Sequence, residues 1–73
     1  MKIEYKKVLD VQWELRRAEL RAKTEWDGTV QYGKDDLLYE LAHEKVKDLR
    51  KAQMHLEEMT DMLRKTNQLE YSD

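Results

Sequence analysis

The sequence predicts an all-α protein: a two-helix antiparallel hairpin that forms a homodimeric four-helix bundle with a second copy of itself. Its 73 residues are 41% charged and include no proline and only two glycines, a composition typical of long helices. Apolar residues recur at every third or fourth position in two long segments, as they do on one face of a helix. Both glycines, Gly28 and Gly33, lie between those segments.

The first helix is predicted over residues 3–26. Its apolar stripe has spacings of three and four residues and consists of Val8, Val11, Leu15, Ala18 and Ala22. Tyr5 and Trp26 are expected at the edges of this stripe. Gly28 follows the helix and can supply the left-handed residue that often closes one.

A loop over residues 27–34 is predicted between the helices, because both glycines lie in it. A second interpretation stays open at this point. The pair Asp27-Gly28 is a favourable two-residue turn, so residues 23–32 also fit a short β-hairpin. An isolated two-stranded hairpin is marginal in water, which favours the loop.

The second helix is predicted over residues 35–67, with Asp35 or Asp36 capping its start and Asn67 closing its end. Its apolar stripe keeps the same spacing with one interruption, at Lys45. The stripe consists of Leu38, Ala42, Leu49, Ala52, Leu56, Met59 and Leu63, widened by Leu41 and Val46.

The predicted helices differ in length, and this difference indicates a dimer. At about 1.5 Å per residue they span roughly 35 and 50 Å, so the first helix ends near residue 57 of the second. Apolar side chains beyond that point have no cover within the chain, and uncovered apolar surface indicates an interface. The predicted oligomer interface therefore consists of Met59, Met62, Leu63 and Leu69.

A second face of the first helix is the candidate partner-binding site. Leu9, Trp13 and Leu20 lie there, away from the stripe. They are surrounded by Lys2, Lys6, Arg16 and Arg17, and no acidic residue of this helix is expected among them. Tryptophan and arginine are enriched at binding hot spots, so the face suits a protein partner with an acidic surface. The alternative is that Trp13 packs in the core against the acidic second helix of a dimer mate.

Residues with catalytic or metal-binding potential do not form a recognisable motif. Glu40 and His43 have the Glu-x-x-His spacing of di-iron bundles, but on a helical wheel they lie away from the stripe and are interpreted as a surface pair. His43-Glu44 resembles the start of a zinc-protease motif, but Lys47 replaces the second histidine. His55, at the edge of the stripe with Glu58 one turn on, is interpreted as part of a surface ion pair, and a pH-sensitive interface is the alternative. No catalytic residue, metal or cofactor is predicted.

Composition limits the class of protein further. A chain of this size is marginally stable alone and usually relies on disulfides, metals or oligomerisation; the absence of cysteine leaves the last. No apolar run approaches the roughly 18 residues that span a bilayer. The charged N-terminus lacks a signal-peptide pattern, so an unprocessed, cytoplasmic protein without membrane contact is expected.

These observations predict a small protein–protein interaction module of a regulatory, adaptor or inhibitor type, which acts by binding and not as an enzyme. The alternative is a structural or assembly subunit that self-associates through its helix ends. A nucleic-acid-binding accessory protein is less favoured, because the net charge is −2 and DNA-binding proteins carry a concentrated basic footprint.

Overall fold

A computed structural model describes residues 2–71 of the chain. In order, these residues form strand β1 (Ile3–Glu4), helix α1 (Tyr5–Thr29), a 3-10 turn (Val30–Tyr32), helix α2 (Leu37–Lys65) and strand β2 (Leu69–Glu70). The two helices pack against each other along their length in opposite directions. The predicted all-α helical hairpin is therefore confirmed.

The turn between the helices forms at Gly33 and not at Gly28. Helix α1 continues through Gly28 to Thr29, so the β-hairpin interpretation of residues 23–32 is wrong. Gly33 has the positive φ, 90°, and its N–H donates to the Val30 carbonyl at 3.1 Å. A left-handed backbone suits glycine, because glycine has no Cβ to clash.

Helix α2 has the two capping residues that its sequence predicts. The Asp36 carboxylate accepts a hydrogen bond from the Leu38 N–H at 2.9 Å. At the other end Asn67 is left-handed, with φ 58°. Its N–H donates to the Arg64 carbonyl at 3.2 Å, and the next N–H donates to the Leu63 carbonyl at 2.8 Å. This is the paired hydrogen-bonding pattern that terminates many helices.

The contact between the helices is a seam with alternating spacings of three and four residues, as in a coiled coil. On α1 it consists of Tyr5, Val8, Gln12, Leu15, Glu19, Ala22, Trp26 and Thr29. On α2 it consists of Tyr39, Ala42, Val46, Leu49, Gln53, Leu56, Thr60 and Leu63. All are at least partly buried, but among the helical residues only Ala22 and Val46 are fully buried.

Residues 3–5 and 68–71 form a clasp at the end of the hairpin opposite the turn. Strands β1 and β2 pair in parallel, with Ile3 opposite Leu69, and the Ile3 N–H donates to the Gln68 carbonyl at 2.9 Å. The rings of Tyr5 and Tyr71 are 5.0 Å apart. Leu69 is buried beneath this clasp, with 6% of its surface exposed.

The clasp removes the overhang that the sequence predicts. Helices α1 and α2 have 25 and 29 residues, closer in length than expected, and the residues after α2 fold back across the start of α1. Leu63 is partly buried and Leu69 is buried within the chain, whereas Met59 and Met62 are exposed. The expectation that all four extend beyond the hairpin is wrong.

The molecule is a flat layer, one helix thick. Its extents are 49 × 20 × 13 Å and its radius of gyration is 16.2 Å, against about 11 Å for a compact domain of this length. The buried apolar residues in the described part are Ala22, Val46 and Leu69. Within residues 2–71, no helix is long and apolar enough to cross a membrane.

Candidate interaction surfaces

One broad side of the layer carries apolar and small side chains, most of them exposed, that are here called the apolar face. It consists of Val11, Ala18, Leu38, Leu41, Ala52, Met59 and Met62. Val11 is 48% exposed, Leu41 is 58% exposed and Met62 is 67% exposed. Single exposed apolar residues are ordinary, but a contiguous apolar patch marks an interaction site.

The apolar face exists because the seam runs along one edge of each apolar stripe and not along its centre. The other edge of each stripe is left uncovered. On α1 the apolar stripe has two rows of residues. One row, which includes Leu15 and Ala22, lies in the seam, and the other row, Val11 and Ala18, lies outside it. The seam positions on the other flank are mostly polar or aromatic. Each helix therefore covers about half of the apolar stripe of its neighbour. A helix in a four-helix bundle needs such a wide stripe, because it packs against two neighbours.

Polar contacts in the seam determine which face of each helix packs against the other helix. Gln53 Nε2 donates to Glu19 Oε1 at 2.6 Å, and Arg50 Nε lies 3.6 Å from Glu19 Oε2. The Glu19 side chain is only 21% exposed. Because a partly buried carboxylate needs such partners, this hydrogen bond and ion pair hold one flank of the seam together, while the other flank is apolar.

Glu19→Ala is expected to lower the free energy of unfolding by about 1–2 kcal/mol, because Gln53 and Arg50 lose a shared acceptor. Glu19→Gln keeps an acceptor for Gln53 and loses only the charge, so it should cost less. Urea unfolding followed by circular dichroism measures both. Equal stability of the alanine variant and the wild type would mean that the contact does not hold the seam.

Charged residues of both signs lie on and beside the apolar face. Lys45 Nζ lies 3.3 Å from Glu25 Oε2, which links the two helices near the turn. Arg21 and Glu14 follow the rim of α1, and Asp48 and His55 follow the rim of α2. Within residues 2–71, no salt bridge involves any of these four rim residues. The face therefore has both signs of charge available for a second molecule.

The Trp13 surface is a separate exposed patch. Trp13 is 59% exposed and Leu20 is 64% exposed, whereas Leu9 is partly buried. The basic residues around them are exposed: Lys2, Lys6, Arg16 and Arg17. However, Asp10 and Glu14 line the shallow depression beside Trp13, so the expectation of a face without acidic residues is wrong. Asp10 lies only about 60° from Trp13 around the helix.

Trp26 and His43 form a contact that the sequence does not predict. Their rings are stacked, with centroids 4.6 Å apart and planes at 20°, and the Tyr39 ring meets Trp26 edge-on at 5.9 Å. His43 is partly buried, whereas Glu40 is exposed. The surface-pair interpretation is therefore wrong for His43, because the rotated seam brings this side of α2 against α1.

Potential metal ligands do not cluster in the described residues. Within residues 2–71, no group of three or more histidine, cysteine, aspartate or glutamate side chains is placed to hold a metal ion. The Trp26 indole N–H is buried without a hydrogen-bond partner among the same residues. Its neighbours are aromatic, so this group contributes to packing at the turn end of the hairpin.

Comparisons of the chain with protein-family models, with curated proteins and with solved structures found no match.

Proposed function

We propose that the chain is a small protein–protein interaction module that acts by binding, and that it works as a homodimeric four-helix bundle formed through the apolar face. The observation that carries the proposal is the rotation of the seam, which leaves half of each apolar stripe exposed on one side. Burial of a large apolar side chain stabilises a complex by about 1.5–3 kcal/mol. Several such side chains on one face favour association strongly.

The surface areas agree with a dimer. The chain exposes 6190 Å², whereas a compact monomer of 8.9 kDa exposes roughly 4,800 Å². The excess is larger than the roughly 800 Å² that each partner buries in a stable interface. A face of 49 × 20 Å has room for such a contact.

The Trp13 surface would stay on the outside of this dimer. Trp13 lies about 160° around α1 from Val11, which belongs to the apolar face. We propose it as the site for a protein partner that offers an apolar contact surrounded mainly by carboxylates, because basic side chains outnumber acidic ones around it. A regulatory, adaptor or inhibitor role fits a module with one surface for itself and another for a partner.

The solution mass tests this proposal against assembly through the helix ends. Light scattering over a wide range of concentrations is expected to give twice the mass of the chain, with no further growth. Growth beyond the dimer would favour the assembly subunit. A well-folded monomer at all concentrations would contradict the dimer.

Trp13→Ala is expected to leave the mass and the helical content unchanged, because the side chain lies outside both the seam and the apolar face. The fluorescence that the substitution removes should have the long emission wavelength and easy quenching by iodide of an exposed indole. Leu20→Ala is the matched control on the same surface. Loss of the dimer in the Trp13 variant alone would instead place Trp13 in the dimer core.

A further inference from the structure

We infer that the second copy lies with its α2 over α1 of the first, with the two-fold axis parallel to the helices and both turns at the same end of the bundle. The inference rests on the proposed dimer through the apolar face. Two flat antiparallel hairpins that meet face to face have one other symmetric arrangement, in which α1 lies over α1 and the turns are at opposite ends. The order of residues along the face distinguishes the two.

The intrachain contacts show which residues lie at the same height along the hairpin. Glu25 of α1 lies beside Lys45 of α2. The helices run in opposite directions. A step of seven residues, which is two helical turns, toward lower numbers in α1 therefore reaches the same height as a step of seven residues toward higher numbers in α2. The face thus has three layers: Glu25 with Lys45, Ala18 with Ala52, and Val11 with Met59.

The same-end arrangement brings each layer against its own equivalent. Val11 then meets Met59 of the second copy, and Ala18 meets Ala52 of the second copy, where small side chains let the helices approach closely. In the charged layer, Glu25 and Lys45 of the two chains form a ring of alternating signs. All four helices are antiparallel to their neighbours in this arrangement, as they also are in the opposite-end one.

The opposite-end arrangement mismatches these layers. With the two chains fully overlapped, it brings Val11 and Met59 against the Glu25–Lys45 pair of the second copy. An ion pair placed against apolar side chains loses hydration without gaining a partner. Sliding the chains to avoid this contact shortens the overlap and leaves other apolar side chains exposed.

The turn end of the face favours the same arrangement. Gly28 lies inside α1 although glycine weakens a helix, and a Cβ at this position would meet nothing within 4 Å in the chain. Neither strain nor packing within the chain therefore requires glycine there. In the same-end dimer, Leu41 of the second copy lies at the height of Gly28, where the absent side chain makes room for the leucine.

The polar side chains of the rim meet suitable partners in both arrangements, so these contacts do not decide between the two. At the same end, Arg21 pairs with Asp48 of the second copy, and Glu14 pairs with His55 of the second copy. At opposite ends, the pairs are Glu14 with Arg21 and Asp48 with His55. The same four positions thus have different neighbours, and a wrong neighbour is about 10 Å away along the axis.

Four single-cysteine variants, Glu14→Cys, Arg21→Cys, Asp48→Cys and His55→Cys, test the arrangement. The natural chain has no cysteine, so each variant contributes one thiol. Two variants are mixed in urea, refolded together and treated with a short bifunctional maleimide, and the linked chains are identified by mass. We expect the E14C/H55C and R21C/D48C mixtures to give roughly tenfold more linked dimer than the E14C/R21C and D48C/H55C mixtures, because a held pair has a high effective concentration.

The outcomes separate failure of this inference from failure of the proposed dimer. Preferential linking of E14C with R21C and of D48C with H55C would overturn the same-end arrangement and leave the dimer intact. A dimeric mass with linking no stronger than that of a Met54→Cys control, on the other side of α2, would overturn the apolar face as the interface. A monomeric mass for the wild type would overturn both.

Discussion

Met59→Glu is expected to convert the proposed dimer into a poorly folded monomer. Met59 is 45% exposed in the single chain and lies beside Val11 on the apolar face, where the proposed dimer would bury it. Burying a carboxylate without a partner costs several kcal/mol, and a symmetric dimer contains the substitution twice. Within residues 2–71, the separated hairpin has only three buried apolar residues, so it should lose most of its helical signal.

Met54→Glu is the matched control for this prediction. Met54 is 61% exposed and lies about 140° around α2 from Met59, so the same change of residue falls on the other side of the layer. Light scattering should give a dimeric mass for the Met54 variant and a monomeric mass for the Met59 variant. Circular dichroism should show intact helices only in the former. Identical behaviour of the two variants would mean that the apolar face is not the interface.

The sequence predicts the two helices well because their determinants are local. The spacing of apolar residues, the absence of proline and the capping residues Asp36 and Asn67 all act within one or two turns. The end of α1 is less predictable, since a glycine can close a helix or lie inside it. Gly28 has a helical backbone and Gly33 a left-handed one, and this difference follows from where the chain turns to pack α2 against α1.

The position of the seam within each stripe could not be read from apolar spacing. Apolar spacing alone selects some residues of the seam together with residues of the apolar face. It therefore includes Val11 and Met59, which lie outside the seam, and omits the polar seam residues Gln12 and Glu19. The seam depends on polar pairs across the helices, above all Glu19 with Gln53, and a pair far apart in sequence has no local signature. The stacking of His43 on Trp26 was missed for the same reason.

The predicted interface at the end of α2 rests on a premise, an overhanging helix, that the structure contradicts. Met59 and Met62 are exposed, as an interface requires, but they are exposed because the seam is rotated and not because α2 extends past α1. Leu69 is also apolar, but it is buried beneath the clasp and not exposed like Met59 and Met62. Strands of two residues have no detectable period, so the pairing of Leu69 with Ile3 could not be predicted.

Leu69→Ala is expected to open the clasp between the chain ends and to lower the free energy of unfolding by about 2–4 kcal/mol, because a buried leucine loses its contacts and leaves a cavity. The Ile3 N–H, which donates to the Gln68 carbonyl at 2.9 Å, should exchange with solvent much faster. Amides at the middle of both helices should keep more of their protection. Hydrogen exchange measured at single residues reports these effects separately.

Met62→Ala provides the comparison, because Met62 lies near the same end of α2 but is exposed on the apolar face. It should weaken the dimer on dilution and leave exchange at Ile3 almost unchanged, whereas Leu69→Ala should accelerate exchange at Ile3 while the protein stays dimeric at high concentration. The opposite pattern would place Leu69 against the second copy. The clasp would then be a contact between chains, and the two ends of one chain would no longer explain why Leu69 is buried.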